Sequence, residues 1–187
     1  MNAILEKDAV AVSAARASDL QQYLTFVLGG ETFAIGILGI KEIIEYGDVT
    51  SVPMMPGFIR GVINLRGAVV PVIDLGARFG RQETALTRRT CIVIVEVHAE
   101  NGRQDMGVIV DAVNEVLEIA DDQIEPAPSL GARLRTEFIR GMGKVNGKFV
   151  ILLNVDRVLS CDELANLGEM DAGVGVPASQ EPATAAA

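Results

Sequence analysis

Apolar residues recur along this chain in short blocks broken by glycines and polar turns, a spacing that suits strands better than helices. Tyr23-Leu-Thr-Phe-Val-Leu28, the turn Gly29-Gly30-Glu31 and Thr32-Phe-Ala-Ile35 together predict a β-hairpin. Ile40-Lys-Glu-Ile-Ile-Glu45 is ambiguous between strand and helix by period alone. Gly61 to Leu65 and Ala68 to Leu75 predict two strands joined tightly through Arg66-Gly67. Cys91 to Val97, Met106 to Val113, Val116 to Ile119 and Phe149 to Val155 add further short strands, with Asn101-Gly102 and Asn146-Gly147 as turn signals. The pattern predicts a mainly β fold with few short helices.

A repeat runs through this pattern. Phe58-Ile-Arg-Gly61 returns as Phe138-Ile-Arg-Gly141, 80 positions later, and the same offset sets Gly67 on Gly147, Val70 on Val150 and Asp74 on Asn154. Upstream, an offset of 73 sets Glu42 on Glu115, Glu45 on Glu118, Asp48 on Asp121 and Pro53 on Pro126. The difference is an insertion of seven residues between Pro126 and Phe138. Order, spacing and residue type agree, so two related β units stand in tandem, each small enough to suit a closed barrel that hides its edges. Their join is expected in the polar stretch Gly80 to Arg89. Two barrels side by side leave a groove between them, a shape that holds partners better than it encloses a substrate.

Charge refines this organisation. The 187-residue chain carries a formal charge of −9, but residues 162–187 hold five acids and no base, and residues 1–21 are net −1, leaving −3 for the rest. Residues 1–21 are expected to be a flexible or partly helical extension, residues 22–161 the folded domain, and residues 162–187 an acidic, Ala/Gly-rich tail with a disordered end. The acidic balance and the scarcity of aromatics argue against nucleic acid as the main partner. No run approaches the ~20 apolar residues that span a bilayer, and no signal peptide is visible at the N-terminus, so the expected compartment is the cytoplasm. Cys91 and Cys161 give no disulfide framework, and Cys91, opening an apolar run, reads as a buried, inert thiol.

Catalytic chemistry finds no footing. The single histidine, His98, precedes the turn Ala99-Glu-Asn-Gly-Arg103 and reads as an exposed loop residue without a nucleophile partner. One histidine and two distant cysteines give no metal-ligand spacing. Gly143-Lys-Val-Asn-Gly-Lys-Phe149 departs from a phosphate loop, its glycines one residue too close and Phe149 where a hydroxyl must hold magnesium. Glu42 with Glu45, and Asp121 with Asp122, look like solvated charges. No catalytic residue, cofactor or metal is assigned. Arg66, set between two hydrophobic strands, needs a carboxylate or carbonyls if it is partly buried. It either fixes its turn by an ion pair to Asp74 or Glu42, or it faces a partner, where arginine is enriched.

The series Tyr23 to Ile35, Ile40-Lys-Glu-Ile-Ile44, Val52-Pro53, Phe58-Ile-Arg-Gly-Val-Ile-Asn-Leu-Arg-Gly67 and Val70-Pro-Val-Ile-Asp-Leu75 closely resembles the CheW family of bacterial chemotaxis coupling proteins. Gly107-Val-Ile-Val-Asp111, Val113 to Leu117, Ile124-Glu-Pro126 and Phe138-Ile-Arg-Gly141 extend the resemblance over about Gln22 to Ser160. It implies two SH3-like five-stranded β-barrels around a hydrophobic interface. It also implies a non-enzymatic adaptor that bridges the cytoplasmic tip of methyl-accepting chemoreceptors to the regulatory domain of a CheA-type histidine kinase. By the same resemblance Ile40, Glu42 and Arg66 stand at receptor-binding positions and Gly61 at a kinase-binding one. A groove lined by Ile40, Ile43 or Val62 would take the apolar face of the receptor's helical hairpin. The protein would then be cytoplasmic and recruited to membrane-associated receptor arrays. The chain has no room for a kinase ATP site or receiver domain, which favours a free adaptor. Two rival expectations are a small-anion or ligand-binding β-barrel protein that uses the groove and Arg66, and an adaptor for a non-flagellar chemosensory pathway.

Overall fold

A computed structural model describes residues 20–99, 102–128 and 134–160. Most of both terminal segments, Cys161, Asn101 and part of the seven-residue insertion lie outside the described residues. Among the described residues, eleven strands form two sheets, joined by two short helices and three 3-10 turns. The strands are β1 (Leu20–Leu28), β2 (Glu31–Gly36), β3 (Ile40–Glu45), β4 (Ile59–Leu65), β5 (Ala68–Asp74), β6 (Cys91–Ala99), β7 (Gly102–Val110), β8 (Ala112–Ala120), β9 (Ile124–Glu125), β10 (Ile139–Val145) and β11 (Lys148–Leu153). Helix α1 (Leu75–Arg78) follows β5, and α2 (Val155–Val158) follows β11.

The repeat seen in the sequence is visible atom by atom. Asp74 N donates to Phe58 O at 2.7 Å and Asn154 N donates to Phe138 O at 2.8 Å. Asp74 accepts from Ala77 N to cap α1, and Asn154 accepts from Arg157 N to cap α2. The register slips between Ile59 and Gly61 on one hairpin and between Ile139 and Gly141 on the other. Both hairpins turn through a left-handed pair, Arg66-Gly67 and Asn146-Gly147, with φ of 52° and 89°, then 49° and 76°. Those signs suit the twist of antiparallel strands.

In space the two repeats exchange hairpins. One sheet has the order β3-β6-β7-β5-β4 and the other β8-β1-β2-β11-β10-β9. The first hairpin, β1–β2, therefore joins the strands of the second repeat, and β6–β7 joins those of the first. The parallel contacts Ala34↔Leu152 and Gly107↔Val72 are equivalents of one another under the two offsets. Residues 80–89 mark a change of repeat but not of sheet, since they lead from α1 to β6. The chain passes between sheets at the 3-10 turn Ile37–Gly39 and at Asp111. This second crossing also moves a strand boundary. The apolar run Met106 to Val113 is broken at Asp111, whose carboxylate accepts from Gly29 N at 2.7 Å, so Ala112 and Val113 begin β8.

Three cores follow from this arrangement. Leu24, Phe26, Phe33, Val93, Val95 and Val108 belong to a core between the sheets. Ile63, Val70, Val72, Ile92, Ile94 and Ile109 pack inside the five-stranded sheet, and Tyr23, Ala34, Ile119, Val150 and Leu152 inside the six-stranded one. Strand β6 is covered on both faces, odd residues toward the central core and even ones inward, which is why Cys91 to Val97 reads as an unbroken apolar run. Cys91 itself is only partly buried, because it is the first residue of that strand. His98 is exposed as expected but belongs to β6 instead of a loop, paired with Arg103 across the hairpin.

Candidate functional site

The β4–β5 turn carries the arginine singled out by the sequence. A non-glycine residue at φ of 52° is held against its own preference, since the side chain crowds the backbone there. Asn64 closes the turn by accepting from Gly67 N at 2.8 Å. Arg66 Nη2 then donates to Glu42 Oε2 at 2.9 Å, with the arginine side chain 80% exposed and Glu42 at 24%. Of the two carboxylates weighed for Arg66, Glu42 is the one engaged. An exposed pair of this kind contributes at most about 1 kcal/mol to stability.

Asp74 is committed elsewhere. Wholly buried, it accepts from Thr84 N and Thr84 Oγ1, both at 2.8 Å, from Ala77 N at 3.2 Å and from Arg60 Nε at 3.3 Å. Arg60 reaches on to Glu83 at 2.9 Å and to Thr84 O at 3.2 Å. This network was not read from the sequence, although the repeat held a hint of it. In the second repeat the equivalent of Asp74 is the neutral Asn154, and Arg140, the equivalent of Arg60, turns to Gln21 Oε1 at 3.0 Å and lies over the Tyr23 ring. Burial raises the Tyr23 hydroxyl above the usual tyrosine range, partly offset by that arginine.

Gly61 is buried in β4 at φ of 143°. A Cβ there would lie 2.0 Å from Thr50 O, the atom that accepts from Val62 N at 2.9 Å. The position admits no side chain.

The structure brings Glu42 and Arg66 together but separates Ile40 from them. Ile40 pairs with Val95 and Glu42 with Ile94, so β3 has one extra residue, Lys41, where β6 has none. The bulge sends Ile40 toward the core between the sheets, while Ile44 packs inside the five-stranded sheet. Ile43 remains 42% exposed. Lys41 Nζ bridges Glu96 Oε2 at 2.9 Å and Asp105 Oδ1 at 2.8 Å, and Arg103 adds a contact to Glu96 at 3.0 Å. Hydrogen bonds to Asp105 and Glu96 raise Lys41 above the usual lysine range. The hydrogen bond from Lys41 in turn holds Glu96 below the usual glutamate range. Beside this cluster, a groove is lined by Leu38, Glu96, His98, Arg103, Arg140 and Asp156, with Leu38 fully exposed on the 3-10 turn.

Among the described residues no three His, Cys, Asp or Glu side chains gather as a metal site. What this geometry presents is a charged, partly apolar surface on a rigid β frame. Residues 22–163 match the CheW-like domain. This chain belongs to the CheW-like family. The chemotaxis protein CheW of Klebsiella aerogenes is 37% identical over 145 residues, covering 78% of this chain and 85% of that protein. A probable chemotaxis protein CheW of Rhizobium etli is 33% identical over 140 residues, covering 75% of this chain and 88% of that protein. The crystal structure of the scaffolding protein TtCheW from Thermoanaerobacter tengcongensis superposes with a TM-score of 0.67 at 35% identity, covering 74% of this chain and 91% of that one. The two sheets are the two SH3-like β domains of the CheW fold. Among the described residues, no helix is long and apolar enough to cross a membrane.

Proposed function

We propose that this CheW-like chain is a non-enzymatic adaptor that couples methyl-accepting chemoreceptors to a CheA-type histidine kinase. The observation that carries the reading is Arg66, exposed on a strained turn and held over Glu42, within a family of chemotaxis scaffolds. Backbone strain of this kind persists where the surroundings enforce it, and it clusters at working surfaces. A guanidinium already oriented by one carboxylate keeps donors free for a second acceptor on a receptor helix. Glu42 and Arg66 thus set register by charge, and Ile40 supports them from the inter-sheet core. On the kinase side, Gly61 acts through shape, since the close approach of Thr50 to β4 requires a bare backbone. The working domain is residues 22–161, cytoplasmic and drawn to receptor arrays through these contacts, with affinity per contact modest and avidity supplied by the array.

The test is sedimentation of the purified chain with a receptor cytoplasmic fragment and kinase, singly and together, alongside kinase autophosphorylation. The expected result is recruitment of kinase to receptor with a change in its activity. A chain that binds neither partner while melting cooperatively would overturn the proposal.

A further inference from the structure

We infer that Lys41 is a positioning residue for the Glu42–Arg66 surface: by bridging Glu96 and Asp105 it locks the bulge that sends Ile40 and Glu42 to opposite faces of β3. The inference rests on the reading of that surface as receptor-facing, and goes beyond it to a residue that touches neither Glu42 nor Arg66 through any side-chain contact described above. Side chains of a regular strand alternate, so Ile40 and Glu42 would share a face without the bulge. Extending the Glu42↔Ile94 register straight through would set Lys41 against Val95, pointing an ammonium at the apolar core between the sheets. Extending the Ile40↔Val95 register instead would set Glu42 against Val93, turning the carboxylate into that same core and away from Arg66. Only the bulge satisfies both cores and the ion pair at once.

The bulged residue itself supplies the lock. Glu96 and Asp105 are directly opposite on β6 and β7, a like-charge pair that repels without a cation between them. Lys41 Nζ sits between the two at 2.9 and 2.8 Å, tying β3, β6 and β7 together at the bulge. Among the described residues Arg103 pairs with Glu96, and loss of Lys41 removes the cation shown on Asp105. A strand freed of this tie can slip by one residue at its N-terminal end, which turns Ile40 out of the central core and loosens the strand that carries Glu42.

The full chain and Lys41→Met are to be compared by NMR and by binding to a receptor cytoplasmic fragment, with Lys41→Arg as the conservative variant. In Lys41→Met the Ile40–Val95 contact weakens, the Glu42–Arg66 coupling in a double-mutant cycle collapses, and receptor affinity falls roughly fivefold or more, while cooperative melting is kept. Lys41→Arg restores all of these. Glu96→Gln with Asp105→Asn removes the same bridges from the other side, and it carries the test if Lys41→Met does not fold. Retention of both the Ile40–Val95 contact and the Glu42–Arg66 coupling in these variants overturns the inference. A wild-type chain that binds no receptor fragment overturns the receptor reading instead, and the NMR arm still decides the role of Lys41.

Discussion

Arg66 stands where a turn of this hand favours asparagine or glycine, and the second repeat shows the favoured form in Asn146-Gly147. Arg66→Asn is therefore expected to leave folding stability unchanged or raise it by up to about 1 kcal/mol, relief of the left-handed backbone offsetting a lost surface ion pair. Thermal melting checks this, and the same variant is expected to lose receptor binding in sedimentation. Arg66→Glu goes further and sets two carboxylates face to face. It should abolish receptor recruitment while the melt stays cooperative and kinase binding persists, and loss of all three together would make Arg66 structural. Gly61→Ala behaves in the opposite way. Its new methyl meets Thr50 O at 2.0 Å on a backbone already at φ of 143°. The expected loss is roughly 3 kcal/mol or more, read as a lowered denaturation midpoint, and any kinase-binding defect should scale with it.

At the level of elements, the β5–α1 junction depends on one buried carboxylate. Asp74→Asn imitates Asn154 and keeps the helix cap, yet it removes the charge that Arg60 and two Thr84 donors address. The expected cost is about 1–3 kcal/mol in chemical denaturation, with Asp74→Ala costing more because the cap is lost as well. The tie at the β3 bulge titrates at both ends of the pH scale. Glu96 is depressed, so its share of stability is present above the ordinary glutamate range and lost as pH falls through its lowered pKa. Lys41 is raised, so its share is present below the ordinary lysine range and lost as pH climbs through its raised pKa. The stability difference between wild type and Lys41→Met should be flat through neutral pH and shrink toward both extremes. Much of this level was legible in the sequence: the hairpins, their turns and the equivalence of Asp74 with Asn154 all follow from spacing. Ile40 to Glu45 was ambiguous because a bulge breaks the alternation on which any period rests. Charge offered both Asp74 and Glu42 as partners for Arg66, and nothing in the residue order chose between them or showed Ile40 on another face. The break at Asp111 was hidden because the strands on either side of it are both apolar.

Across the whole molecule, exchange of hairpins makes each sheet depend on both halves of the chain. A tandem repeat in the sequence reads as two units that close on themselves, and only long-range pairing, Phe26 with Val113 or Phe33 with Ile151, reveals that they do not. Fragments 22–84 and 85–161 should each be unfolded by circular dichroism and regain a cooperative melt on mixing. A half that melts cooperatively by itself would show that the exchange is dispensable. The same topology orders events on the ribosome. All strands of the five-stranded sheet lie between residues 40 and 110, so that sheet can form while the rest of the chain is still being made. The earlier hairpin, β1–β2, gains its neighbours in the six-stranded sheet only when residues 112–153 emerge. At roughly 5–20 residues per second that wait lasts on the order of ten seconds. The first strands synthesised are thus among the last to find their sheet neighbours, and a nascent chain stalled before β8 would offer chaperones a hairpin with both outer edges open at its leading end.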